Sequence, residues 1–131
     1  MTSKITLENV GIILVQPQIP ENIGAVARAM HNMGLHRLVL VDPKNCDRDR
    51  MSKTATGSST KVLGSMDIYK NLREALAPFQ YLVGTTARIG VSRPALTRPR
   101  SLARKLIPIS QNNLVGILFG PEDRGLSNDQ L

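Results

Sequence analysis

NVGIILVQPQIPENIGAVARAMHNMG, residues 9–34, decides the fold. Its first seven residues form a near-continuous apolar run of strand length, and Gln16 and Pro17 interrupt it. After QPQIP (16–20), apolar residues recur at helical spacing from Glu21 to Met33, and Gly34 stands where a helix-ending glycine belongs. That is a strand followed at once by a helix. On a helical wheel Ile23, Val26, Ala27, Met30 and Met33 gather into one apolar face, which is expected to pack on the sheet. Gly24, Arg28 and Asn32 lie four apart on the other side, flanked by Ala25 and Ala29. Arg28 therefore stands clear of the core. Small neighbours let another chain or a ligand come close, and a guanidinium there can hold a phosphate or carboxylate through two parallel hydrogen bonds, which lysine cannot. A solvated surface arginine among good helix formers is the competing reading.

Outward from this unit, RLVLVD (37–42) reads as a second buried strand ended by Asp42-Pro43. DIYKNLREALAPF (67–79) predicts a helix with Asp67 as its N-cap, Ile68, Leu72, Ala75 and Leu76 at helical spacing, and Pro78 as its stop. YLVGTT (81–86) and LVGILFG (114–120) are two more near-continuous apolar strands, the kind buried on both faces. Between them ARIGVSRPALTRPRSLARKL (87–106) predicts a basic loop leading to a short helix near Ser101. The alternation predicts the α/β class, a parallel sheet with helices on both faces. Such sheets bind ligands where loops leave the C-terminal strand ends. Three exits stand out: QPQIPENIG, GTTAR and FGPEDRGLS. A dinucleotide-dependent oxidoreductase would need a glycine-rich fingerprint after the first strand, and only Gly24 is there. Asp42, near where a ribose-binding acid would sit, is then strand punctuation.

The chain has 131 residues, 41% of them apolar, enough for one domain with a core. Seventeen Lys and Arg against ten Asp and Glu give a formal charge of +7, which attracts polyanions and makes nucleic acid the natural partner class. Charge alone does not establish such a partner, and with only Phe79, Phe119, Tyr69 and Tyr81 aromatic there is little for a base-stacking platform. Cys46 is the single cysteine and there are two histidines, so neither a disulfide nor a metal site is expected. The apolar runs fall far short of the roughly 20 residues of a membrane span and no signal-peptide pattern opens the chain. A soluble, cytoplasmic protein is expected.

Three segments, in order, carry a resemblance: PENIGAVARAMHNMGLHRLVLVDP (20–43), LVGTTAR (82–88) and LVGILFGPEDRGLSNDQL (114–131). They look like the first motif, middle segment and second motif of the SPOUT class of RNA methyltransferases. Within the class they resemble the SpoU or TrmH branch, which methylates ribose 2′-hydroxyls, and within that the TrmJ type of tRNA enzyme. The resemblance spans essentially the whole chain. It implies a deep trefoil knot near the C-terminus, an exception to the rule against knots. It also implies S-adenosylmethionine held in that knot and a homodimer whose active site draws on both subunits. Carried over position by position, Arg28 is the family's catalytic arginine, with Asn22 and Glu122 the matching polar residues of the two motifs. Thr85, Thr86, Ala87 and Gly120 fall on the cofactor-contacting positions, and Arg88, Arg93, Arg98 and Arg100 are expected, with Arg28, to meet RNA phosphates. Such contacts supply affinity, not base identity. Apart from the resemblance, the two threonines merely end a strand, Gly120 a strand-end turn, and Glu122 caps a helix.

The implied reaction is an in-line displacement at the methyl of a sulfonium. It asks the protein to align the oxygen, assist loss of its proton and hold the cofactor, without a metal. A guanidinium stays protonated at any working pH, so Arg28 is expected to position a phosphate, with an RNA phosphate or water taking the proton. One departure stands out. The family's third motif, a Ser-Leu-Asn segment, has no counterpart before Leu131, so the domain at 1–131 is expected to carry an incomplete knot and an open cofactor site. Ser127 and Gln130 make a capping-box pattern with one residue after it, so further residues are expected to follow. tRNA is the expected substrate. Ribosomal RNA, or a noncatalytic RNA-binding role, remains as the alternative.

Overall fold

Strand β1 (Val10–Val15) is buried at all six positions because it is the middle of the sheet, with a parallel neighbour on each side. The computed structural model describes residues 5–85 and 99–121, apart from the side chains of 99–103. β2 (Arg37–Val41) lies on one side of β1, with Ile13 opposite Val39, and β5 (Val115–Phe119) on the other, with Ile13 opposite Leu118. β3 (Asp67–Tyr69) and β4 (Tyr81–Gly84) form the edges, so the parallel sheet runs β3-β2-β1-β5-β4. Alternate side chains of β1 enter two cores. Val10, Ile12 and Leu14 face α1 (Pro20–Met33), α2 (Arg48–Thr54) and α3 (Thr60–Gly64), while Ile13 and Val15 pack with Ala75 of α4 (Leu72–Leu76) and with Phe79. The expected parallel α/β sheet with helices on both faces is present, but β4, expected to be buried on both faces, has no buried residue: it pairs only with β5 at the sheet edge, and Leu82 is 42% exposed.

Gly34 ends α1 at φ 81°, a left-handed conformation that suits glycine, and its amide bonds to the His31 carbonyl. α5 (Pro99–Asn112) is longer than the expected short helix near Ser101 and carries Pro108 inside it. It adds Leu106 to the core on the α1 side. Its buried Ser110 accepts from the Thr6 amide at 3.0 Å and donates to the Ile107 carbonyl at 2.9 Å, which ties the segment before β1 to the far end of the chain.

Two further expectations need correction. The helix read over 67–79 is in fact an edge strand followed by a helix of five residues. Asp67 opens β3 rather than capping a helix; the cap is Asn71, whose side chain accepts from the Glu74 amide at 2.9 Å. Ile68, counted toward the helical stripe, pairs with Leu40 and is 45% exposed. Unpaired hydrogen-bonding groups along β2 compete with the helical pattern and take these three residues into the sheet. Met33 likewise does not pack on the sheet: it is 64% exposed, while Ile23, Ala27 and Met30 are buried as expected.

Candidate functional site at the exits of β1, β4 and β5

The strand order places β2 on one side of β1 and β5 on the other, so the chain leaves the sheet in opposite senses between β1 and β5. An open crevice forms at such a switch point. Here it is a cavity of about 490 Å³ between α1 and the strands. Pro17 and Asn22 line its exit end from the α1 side, and Phe119 and Gly120 line it from β5. Ile12, Leu14, Val26 and Met33 make the rest of it apolar, with Asn22 as the one polar side chain among the lining residues. The volume is in the range of small-ligand sites. Asn22 and Gly120, nearly a hundred positions apart in sequence, thus meet in one cavity.

Thr85 follows β4 and is fastened to the next strand. Its amide and its hydroxyl both donate to the Leu118 carbonyl, at 3.0 and 2.8 Å, two residues before Gly120. With both donors committed there, Thr85 offers a ligand its carbonyl and the lone pairs of its hydroxyl.

Arg28 is exposed on the next face of α1, in a separate depression of about 370 Å³ lined by Ala25, Arg28, Ala29, Asn32, Lys53 and Thr54. Ala29 belongs to both this depression and the apolar cavity. Arg28 therefore does not share a pocket with Asn22 or Gly120; the two sites lie on adjoining faces of α1, with Ala29 between them. Thr86, Ala87, Arg88, Arg93, Arg98 and Glu122 lie outside the described residues, as does the side chain of Arg100.

The sequence reading missed α2, the element that completes the second depression. Asp47 caps it by accepting from the amides of Asp49 and Arg50, at 3.1 and 3.2 Å. Arg50 then grips the Glu21 carboxylate with Nη2 at 2.7 Å and Nε at 3.0 and 3.1 Å. Hydrogen bonding from Arg50 is the main reason that the Glu21 pKa falls below its ordinary value, and the same contact raises that of Arg50. The Thr54 hydroxyl donates to the Glu21 carbonyl at 2.6 Å. Gly24, expected on an open face, is buried where α2 crosses α1. Its missing side chain admits another segment closely, as its small size suggested, and that segment is α2. The available signal was Asp47 followed by a polar stretch with Met51 as a single apolar anchor.

A parallel α/β sheet with its crevice at a switch point defines a class of ligand-binding folds. The chain belongs to the SpoU rRNA Methylase family, whose model matches residues 9–131. Among its relatives, the tRNA (cytidine/uridine-2′-O-)-methyltransferase TrmJ of Salmonella typhimurium is 38% identical over 125 residues, which is 95% of this chain and 51% of the relative. The chain thus spans about half the length of the curated relatives it matches. The crystal structure of TrmJ from Z. mobilis ZM4 superposes with a TM-score of 0.79 at 40% identity, covering 92% of this chain and 53% of that one. The SpoU methyltransferase AviRb from Streptomyces viridochromogenes, solved with the cofactor AdoMet, shares the fold at a TM-score of 0.58 and 21% identity, covering 92% of this chain and 46% of that one.

Proposed function

We propose that this chain is the methyltransferase region of an S-adenosylmethionine-dependent enzyme that methylates a ribose 2′-hydroxyl of tRNA in the cytoplasm. The observation that carries the reading is the meeting of Asn22 and Gly120 in one cavity at the switch point, with Arg28 on the outer face of the same helix. Family membership and the TrmJ relatives support the reaction and its tRNA acceptor.

S-adenosylmethionine supplies the methyl as an electrophilic sulfonium. The residues present fit it: Pro17, Phe119 and Gly120 give apolar walls to a flat heterocycle, and Gly120 lets it reach backbone groups. Asn22 can orient a polar group at that end, and Thr85 shapes the β4 exit. Arg28 holds an RNA phosphate and so aligns the ribose oxygen, an entropic and electrostatic contribution rather than a basic one. Proton removal falls to the RNA phosphate or water. Glu122, Thr86 and Ala87 complete the site in this reading, and Arg88, Arg93, Arg98 and Arg100 extend the phosphate track. The same reading expects a homodimer, as the family resemblance implies.

The test is transfer of a labelled methyl group from S-adenosylmethionine to tRNA and, separately, to ribosomal RNA, with nucleoside analysis of each product. 2′-O-methylcytidine or 2′-O-methyluridine in tRNA is expected. Methylation of a base, or of ribosomal RNA alone, overturns the assignment.

A further inference from the structure

The depression around Arg28 contains a second cation that the family motifs do not include. Lys53, near the end of α2, is exposed and lines it together with Arg28 and the Asn32 amide, and no carboxylate is among the lining residues. Among the described residues neither Arg28 nor Lys53 forms an ion pair. The Glu21 carboxylate feels the charge of Lys53 but is held by Arg50. The position of Lys53 is built in: Gly24 lets α2 lie against α1, and Arg50 and Thr54 fasten it to Glu21 on either side of Lys53 in sequence. Two cations on adjoining helices that line one depression with no carboxylate in its wall give it a positive potential that favours an anion seated there.

We propose that Lys53 is a second phosphate-binding residue, which with Arg28 and Asn32 seats one phosphodiester of the acceptor RNA. This deepens the RNA methyltransferase reading and rests on it. The planar guanidinium suits two parallel hydrogen bonds to phosphate oxygens, the ammonium acts as a point charge, and the Asn32 amide adds a neutral donor. The contact is to backbone, so it strengthens binding of every acceptor sequence alike.

The test compares full-length wild type with Lys53→Ala, Lys53→Arg and Lys53→Glu, using Lys61→Ala, an exposed lysine of α3 that lines a different depression, as the reference. The probe is unmodified tRNA, bound over a series of salt concentrations, with methyl-transfer kinetics in parallel. Lys53→Ala is expected to weaken binding about 3- to 10-fold and to lower the slope of log affinity against log salt by about 0.7 to 1. Lys53→Arg should restore most of both, Lys53→Glu should be worse, and the loss should fall on KM with kcat and S-adenosylmethionine affinity near wild type. Wild-type affinity and slope in Lys53→Ala overturn the proposal, as does an equal loss in Lys61→Ala, which would mean diffuse charge. If wild type binds tRNA but transfers no methyl group, the enzyme reading fails while the binding series still decides the role of Lys53.

Discussion

Gly24 of α1 lies against the Met51 carbonyl of α2 so closely that a β-carbon on Gly24 would overlap both that oxygen and the Thr54 hydroxyl. The obstacle is partly backbone, so α2 cannot evade it by a rotamer change. Gly24→Ala should destabilise the protein by about 1–3 kcal/mol or more, despite the better helix propensity of alanine. Urea unfolding checks this. A stability equal to or above wild type would show that α2 does not dock as described.

Glu21 supplies a pH dependence with a definite sign. Its carboxylate pKa is lowered in the folded protein, first by the Arg50 hydrogen bonds, so the charged form is the one the fold favours. The contribution is fully present above the ordinary value of 4.5 and fades as pH falls through the lowered folded value. Stability measured down that acid window should drop less in Glu21→Gln than in wild type. The pair is solvent-exposed, so the effect should also shrink in high salt.

Arg28 faces the RNA in the proposed reading and lies outside the apolar cavity, which separates two properties that a damaged fold would lose together. Arg28→Ala should lower methyl transfer by about 100-fold or more while S-adenosylmethionine binding by calorimetry stays near wild type. Arg28→Lys should recover little, because one ammonium cannot make the two parallel bonds of the fork. Wild-type turnover in either variant would remove Arg28 from the site.

Asp47 caps α2 through two backbone amides, and α2 carries Arg50, Lys53 and Thr54. Asp47→Ala should cost about 1 kcal/mol by denaturant unfolding. It should also weaken tRNA binding modestly, because the frayed helix no longer presents Lys53 to the depression. Asp47→Asn, which can still accept the amides, should keep most of the stability.

What could be read from the sequence follows from how each element is stabilised. β1, β2, β5 and α1 carry their burial in their own pattern, as continuous apolar runs or a clear helical stripe ended by Gly34, whereas the apolar run of β4 marks a strand but not its place at the sheet edge, where none of its residues is buried. β3 does not. Asp67, Ile68 and Tyr69 form a strand only because β2 offers them an edge, and their local spacing favours a helix. α2 and α3 are short, and α2 is mostly polar; Met51, Val62 and Leu63 are their buried side chains, too few to make a periodicity. In the site, motif resemblance marked Asn22, Arg28, Thr85 and Gly120, but no spacing rule says that Asn22 and Gly120 face one cavity while Arg28 faces another. That division follows from strand order and from the packing of α2. Met33 shows the opposite failure: its stripe position is correct, yet the face it completes extends past the edge of the packed core.

The placement of β5 beside β1 also bears on synthesis. Val10 and Leu14 pair with Val115 and Phe119, so the strand made first in the sheet gains its second neighbour from a segment made about a hundred residues later. At ribosomal speeds of about 5–20 residues per second, one edge of the most apolar strand stays unpaired for roughly 5–20 s. β2 can join earlier, but it covers only the other edge. The nascent chain thus carries an open, sticky strand edge throughout the synthesis of residues 16–114, and the yield of native protein should depend on what shields that edge until residue 119 is out.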